Sequence, residues 1–162
     1  MTGQVIVRRA VADDAEIIAD IHVVAWRQTY RHLVSPALLD AIDPADRVER
    51  WPGIITGSDQ DAWVAELNGV TLAWATTSAR DPAQNPRGLE VNGMYALTRA
   101  HGSGLGQALL DAAIGDAAAF LWVAADNPRA QAFYRRNGFI PDGESSHSEI
   151  LGTAVHIARW VR

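Results

Sequence analysis

The sequence predicts a mixed α/β fold, a mostly antiparallel sheet of six or seven strands flanked by helices. Three observations predict it. Short β-branched and aromatic runs are interleaved, not in regular alternation, with helical periodicities along all of 1–162, and no repeat, linker or low-complexity tract divides the chain. Asn68-Gly69 separates two such runs and is a strong two-residue hairpin signal, so strands there return antiparallel. The stretch Glu90-Val91-Asn92-Gly93-Met94-Tyr95-Ala96-Leu97 passes through Thr98-Arg99-Ala100 into His101-Gly102-Ser103-Gly104-Leu105-Gly106-Gln107, where a helical pattern begins. A strand, a glycine-rich loop and a helix N-terminus in this order aim free N–H groups and a positive helix end at one point, where an anion such as phosphate can sit.

The elements follow in order. Val5-Ile6-Val7 marks a first strand, about Gln4 to Arg9. Asp13 and Asp14 stand at a helix start, and Ile17, Ile18, Ile21, Val24 and Ala25 keep helical spacing. That helix carries His22, Trp26, Arg27 and Tyr30, with Trp26 and Tyr30 on one face. Ser35-Pro36 opens a short helix through Leu39 and Ile42, and Asp43-Pro44 opens another with Val48, Trp51, Ile54 and Ile55 on its apolar side. Ala62–Glu66 and Val70–Thr76 are the arms of the hairpin, Arg80–Gly88 is a surface loop, and Leu89–Leu97 is strand four. A helix over Leu105–Ala119 is apolar on most sides and should be well buried. Phe120–Ala124 is strand five. Asn127-Pro128 starts a helix with Ala130, Phe133 and Tyr134 at helical spacing and Gly138 at C′. Phe139-Ile140 opens strand six, and Ala154–Val161 is the last strand.

Composition narrows the chemistry. All 14 basic residues are arginine and there is no cysteine, which excludes Schiff-base or P-loop lysines, disulfides and thiolate nucleophiles. A net charge of −5 argues against general nucleic-acid binding, although a local basic groove is compatible with it. The N-terminus lacks a signal-peptide core, and the longest apolar run, Ala117–Ala125, is far shorter than the about 20 residues that span a bilayer. A cytoplasmic protein without membrane association is therefore expected. His22, His32, His101, His147 and His156 have no metal-binding spacing such as H-E-x-x-H, so no metal is expected. A dinucleotide-binding loop would need G-x-G-x-x-G near the first strand; here the spacing is G-x-G-x-G after four strands.

His101-Gly102-Ser103-Gly104-Leu105-Gly106 resembles the acetyl-CoA pyrophosphate loop of the GCN5-related N-acetyltransferase (GNAT) superfamily, usually Arg or Gln, two residues, Gly, one residue, Gly or Ala. Leu121-Trp122-Val123, Asn127-Pro128-Arg129-Ala130 and Phe133-Tyr134-Arg135-Arg136-Asn137-Gly138-Phe139 resemble its next strand–helix motif. Ala25–Tyr30 is similar to the first helix of small bacterial members, and the element order agrees along the whole chain. His101 departs from the pattern, which leaves its own side-chain contact open but not the backbone contacts.

The resemblance implies one strongly twisted domain, 1–162, with strands four and five splayed around acetyl-CoA as cosubstrate. Met94, Tyr95 and Ala96 would meet the pantetheine arm, whose amides can pair with a strand edge. Asn92-Gly93 could supply a bulge there. His101, Gly102, Ser103, Gly104, Leu105, Gly106 and Gln107 would wrap the pyrophosphate, and Asn127 would add a hydrogen bond beyond capping its helix. Tyr134 would contact the cofactor and protonate the thiolate, the alternative being a buried structural tyrosine. Glu90 is the candidate base, directly or through water; otherwise it is an exposed strand-end carboxylate. Trp26, Tyr30 and Trp74 could wall an acceptor pocket, or simply pack.

The implied reaction is attack by a primary amine, from a small molecule or a peptide N-terminus, on the thioester in a ternary complex. A covalent acetyl-enzyme is not expected without cysteine. The alternative is a non-catalytic acyl-CoA-binding module of the same fold. An acidic protein suits a cationic acceptor such as a polyamine or aminoglycoside, but net charge does not choose one. A homodimer is compatible with the sequence.

Overall fold

Strand β3, Val70–Ala79, is buried along most of its length because small and apolar residues occupy both of its faces. Around it, a computed structural model describing residues 3–162 has a seven-stranded sheet in the order β1-β2-β3-β4-β5-β7-β6. The other strands are β1 (Val5–Arg9), β2 (Asp61–Leu67), β4 (Leu89–Ala96), β5 (Phe120–Ala124), β6 (Ile140–Ile150) and β7 (Thr153–Val161). Every neighbouring pair is antiparallel except β4–β5. The β2–β3 turn places Asn68 at φ 52° and Gly69 at φ 79°, as a primed hairpin turn requires.

Side chains alternate across the sheet, and two layers of helices use the two faces. Helix α1, Ala15–Tyr30, lays Ile18 and Ile21 against Val64 and Trp74. The short helices α2 (Pro36–Asp40), α3 (Ala45–Val48) and α4 (Trp51–Thr56) lie on the same side. On the other face Ala65, Ala73 and Ala75 receive Leu105 and Leu109 of α5, Leu105–Ile114. Helix α6, Pro128–Arg136, joins β5 to β6.

Several boundaries differ from the sequence reading. Helix α5 stops at Ile114 rather than Ala119, because Gly115 turns to φ 52° and donates its N–H to Asp111 O. Its face with Gln107, Asp111 and Ala112 is exposed, so it is buried on one side only. Helix α2 ends at Asp40, and the single helix expected from Asp43-Pro44 is two, since Pro52 begins a new first turn in α4. Asp14 does not cap α1 with its side chain; its carboxylate accepts from Val11 N–H (2.8 Å) and pairs with Arg8 (2.7 Å).

Two irregularities matter for the site. In β4, Val91 pairs with Thr77 and Gly93 with Thr76, which leaves Asn92 as an extra residue in a bulge. Strands β4 and β5 pair only at Glu90–Phe120 and Val91–Leu121, then part.

Candidate active site

Beyond Val91 the edge of β4 facing β5 is unpaired over Met94, Tyr95 and Ala96. This is the splay expected around the cofactor. At its end lies the glycine loop. Gly102 has φ +78° and Gly104 φ +85°, a region unfavourable to side chains, and a Cβ built at either would meet nothing within 4 Å. The concave side of the loop is therefore open. Ser103 braces it, donating to Ala100 O (2.6 Å) and accepting from Leu105 N–H (3.2 Å). The N–H groups of Gly102, Gly104, Gly106 and Gln107 have no acceptor in the protein among the described residues. Four free donors at a helix N-terminus suit a pyrophosphate.

Not every loop residue contributes in the same way. The side chain of Leu105 is core and its N–H is held by Ser103. Gln107 turns its amide away, to Asp111 (2.9 Å) and Asn137 (2.7 Å), so only its backbone faces the cradle. His101 donates from Nε2 to Ala96 O at 3.2 Å and so occupies a carbonyl of the splayed edge. Burial and the nearby Arg129 guanidinium lower its pKa. Arg129, exposed at the start of α6, is a cation beside the loop that the sequence reading quoted within a motif without assigning it a role.

Helix α6 delivers Tyr134. Asn127 Oδ1 accepts from Ala130 N–H (3.1 Å), Pro128 follows at the first turn, and the helix closes with Gly138 N–H to Arg135 O (3.1 Å) and Phe139 N–H to Tyr134 O (3.1 Å). This is a Schellman closure, with Gly138 at φ +84° and Phe139 packed on the Tyr134 ring at 5.7 Å. Tyr134 is 8% exposed, and burial together with the Tyr95 phenol pushes its hydroxyl well above the usual phenol range. The Tyr30 and Tyr95 hydroxyls are 3.3 Å apart, and burial raises both pKa values. Three phenols from α1, β4 and α6 thus meet beside the splay.

The other expected residues are arranged less simply. Glu90 stands at the opposite end of β4, with Oε2 held by Arg80 at 2.6 Å. Five strand positions, at about 3.3 Å each, separate it from Tyr95 by on the order of 15 Å. Trp74 is 4% exposed and packs on Trp51 at 4.7 Å, and the absence of a side chain at Gly93 gives its ring room. Trp26 is half-buried and edge-on to Tyr30 at 5.9 Å. The sequence reading missed two members of this aromatic group as site residues. His22 lies 4.7 Å from Trp26 and 5.3 Å from Trp74, and Trp51 comes from the start of α4. Their separation along the chain hides them; only His22 and Trp26, four apart on α1, are linked by spacing.

The acetyltransferase (GNAT) family model matches residues 15–139. The chain belongs to this family. It is an N-acetyltransferase with acetyl-CoA as cosubstrate. A probable N-acetyltransferase of Mycobacterium tuberculosis is 29% identical over 86% of this chain and 82% of its own length. A GCN5-related N-acetyltransferase structure from Rhodopseudomonas palustris superposes with a TM-score of 0.73 at 18% identity, covering 100% of this chain and 97% of its own. The PaiA N-acetyltransferase of Thermoplasma acidophilum, solved with coenzyme A, gives 0.70 at 15% identity, covering 96% and 98%. No helix among the described residues is long and apolar enough to cross a membrane.

Proposed function

We propose that the chain transfers an acetyl group from acetyl-CoA to a primary amine by direct attack in a ternary complex. The observation that carries this reading is the gap between β4 and β5, with an open glycine cradle at one end and a buried phenol beside it. Acetyl-CoA supplies an activated thioester carbon. The free N–H groups of Gly102, Gly104, Gly106 and Gln107 bind its pyrophosphate, and the edge Met94–Ala96 binds its pantetheine amides.

Two protons then have to move. The amine must lose one, and Glu90 retains Oε1 as an acceptor while Oε2 pairs with Arg80. Its distance from the phenols supports a role through water rather than direct contact. The departing thiolate must be stabilised, and Tyr134 holds the proton for it. A phenol above its usual range keeps that proton at every working pH but is a weaker acid than a thiol of pKa about 8.5. Tyr134 therefore acts late, through a hydrogen bond that strengthens as charge reaches sulfur.

Thermal shift with acetyl-CoA, combined with thiol release over an amine panel, tests this. Stabilisation and turnover with at least one amine are expected. Stabilisation without turnover on any amine would make the chain a binding module, and no stabilisation would remove the cofactor assignment.

A further inference from the structure

Most arginines have partners. Arg8, Arg9, Arg31, Arg80 and Arg159 pair with carboxylates, and Arg27, Arg87 and Arg162 donate to backbone carbonyls. Among the described residues Arg47, Arg50, Arg99, Arg129, Arg135 and Arg136 have neither a carboxylate within ion-pair distance nor a hydrogen-bond acceptor, and of these only Arg47 has a buried nitrogen, Nε, without a partner. Arg47 lies over the Trp26 ring at 4.5 Å. With Arg50, Asp46, Ile42 and Leu151 it lines a cavity of about 380 Å³. Its lining residues Ile42 and Leu151 pack against the same cluster as Trp26 and Tyr95, a cluster that includes Tyr30 of the candidate active site. Arg27 fixes this wall by donating to Leu39 O (3.0 Å) and Ile42 O (2.9 Å).

Two more buried ring nitrogens nearby lack partners, His22 Nδ1 and Trp74 Nε1, while the Trp26 indole N–H has the Tyr95 hydroxyl as an acceptor. Indole and guanidinium nitrogens only donate. Buried donors without acceptors are rare in folded proteins, so Arg47 Nε in the cavity wall calls for an acceptor that arrives with a ligand. Charge agrees, with two guanidinium groups opposed at the cavity by the Asp46 carboxylate alone. Burial, and then the Arg50 charge, also lower the pKa of Arg47, an effect that an incoming anion opposes. A polyamine would instead bring further cations to two arginines.

We propose that the acceptor is a small primary amine carrying a carboxylate, an amino-acid-like molecule, whose carboxylate is bound by Arg47 with Arg50 at the rim. The local charge thus reverses what the acidic composition suggests. Arg47 offers a planar fork suited to a carboxylate, and its stacking on Trp26 orients that fork. This substrate class rests on the acetyl-transfer reading, but the anion site can be tested separately.

The test uses the twenty standard L-amino acids, their carboxamides and the corresponding decarboxylated amines. Thiol release with acetyl-CoA is measured for each, and binding to the protein saturated with CoA is measured by calorimetry. At least one amino acid should be acetylated with kcat/KM ten-fold or more above its amide and its decarboxylated amine. Arg47→Gln should erase that ratio and Arg50→Gln should reduce it, with acetyl-CoA affinity unchanged. Arg50 is exposed, so its variant remains informative if Arg47→Gln does not fold. Carboxylate-dependent binding without turnover would uphold the anion site while removing the acetyl-transfer reading. Amides or decarboxylated amines that bind and react as well as their parents, or no carboxylate-dependent signal in either measurement, would overturn the proposal.

Discussion

In the proposed function, the two sides of the β4–β5 gap recognise their ligands by different means. The proposed cofactor side offers backbone: free N–H groups of one continuous loop, held open by Gly102 and Gly104 in the left-handed region. The proposed acceptor side offers side chains brought together from α1, α3, α4 and β3, with β4 between the two. A backbone cradle depends on conformation and tolerates change at most side chains. A side-chain wall depends on identity, so it can be altered without disturbing the cofactor. The substitutions below test that separation, beginning with the largest expected effect.

Tyr134→Phe touches the junction of the two sides. It removes the hydroxyl and keeps the ring packed on Phe139. Single-turnover rates should fall by about 10²-fold or more, within the usual range for a proton donor, while acetyl-CoA affinity holds. An unchanged rate would return Tyr134 to a purely structural role. Gly104→Val should affect the cofactor side alone. It forces a β-branched residue to φ +85°, a strain of about 1–3 kcal/mol, and fills the cradle. Acetyl-CoA affinity measured by calorimetry should drop at least ten-fold with the circular dichroism spectrum retained; equal affinity in a folded variant would remove the loop from the binding site.

His22 probes the acceptor side through stability. Burial, with Arg47 and Arg50 nearby, pushes its pKa down to about 4. The unfolded chain, with a histidine near 6.5, binds the proton first, so this contribution to stability is complete above about pH 6.5 and is lost as pH falls toward 4. At about 1.4 kcal/mol per unit over about 2.5 units, the loss is on the order of 3 kcal/mol. His22→Gln should flatten that limb of a Tm–pH profile, and an unchanged slope would assign it to other groups.

The smallest effect belongs to His101. Its ring bonds to Ala96 O, and Arg129 helps to hold its pKa down in the free protein. Phosphates beside it would raise that pKa, so acetyl-CoA binding should tighten between pH 8 and 6, by less than ten-fold for an exposed pair. Identical pH slopes in wild type and His101→Gln would show that the imbalance lies elsewhere.

Local signals explain what the sequence disclosed. Asn68-Gly69, Asn127-Pro128 and Gly138 each state a backbone conformation in two or three residues, and each is found where the pattern put it. The glycine loop belongs with them. The sequence shows where β6 opens, at Phe139-Ile140, but not that it runs to Ile150, because it is an exposed sheet edge with polar residues over Asp142–Glu149. Its turn into β7 uses Leu151 at φ 51°, a residue with no preference for that region, followed by Gly152 at φ 78°. His22, Trp51 and Arg47 were equally hidden, since nothing local records that a tryptophan from α4 and an arginine from α3 will meet one helix.

The extra residue at Asn92 sets the parity of β4. Val91 and Met94 are three positions apart, an odd number, yet both pack toward α5. Tyr95 consequently points the other way, to Trp74 and Tyr30. A regular β4 with Asn92 paired, in place of the bulge, would leave every hydrophobic residue in the chain but exchange the two sides downstream. Methionine would then face the aromatic group and the phenol would face the leucines of α5. One uncompensated position in a strand thus decides which side of the sheet holds the phenol.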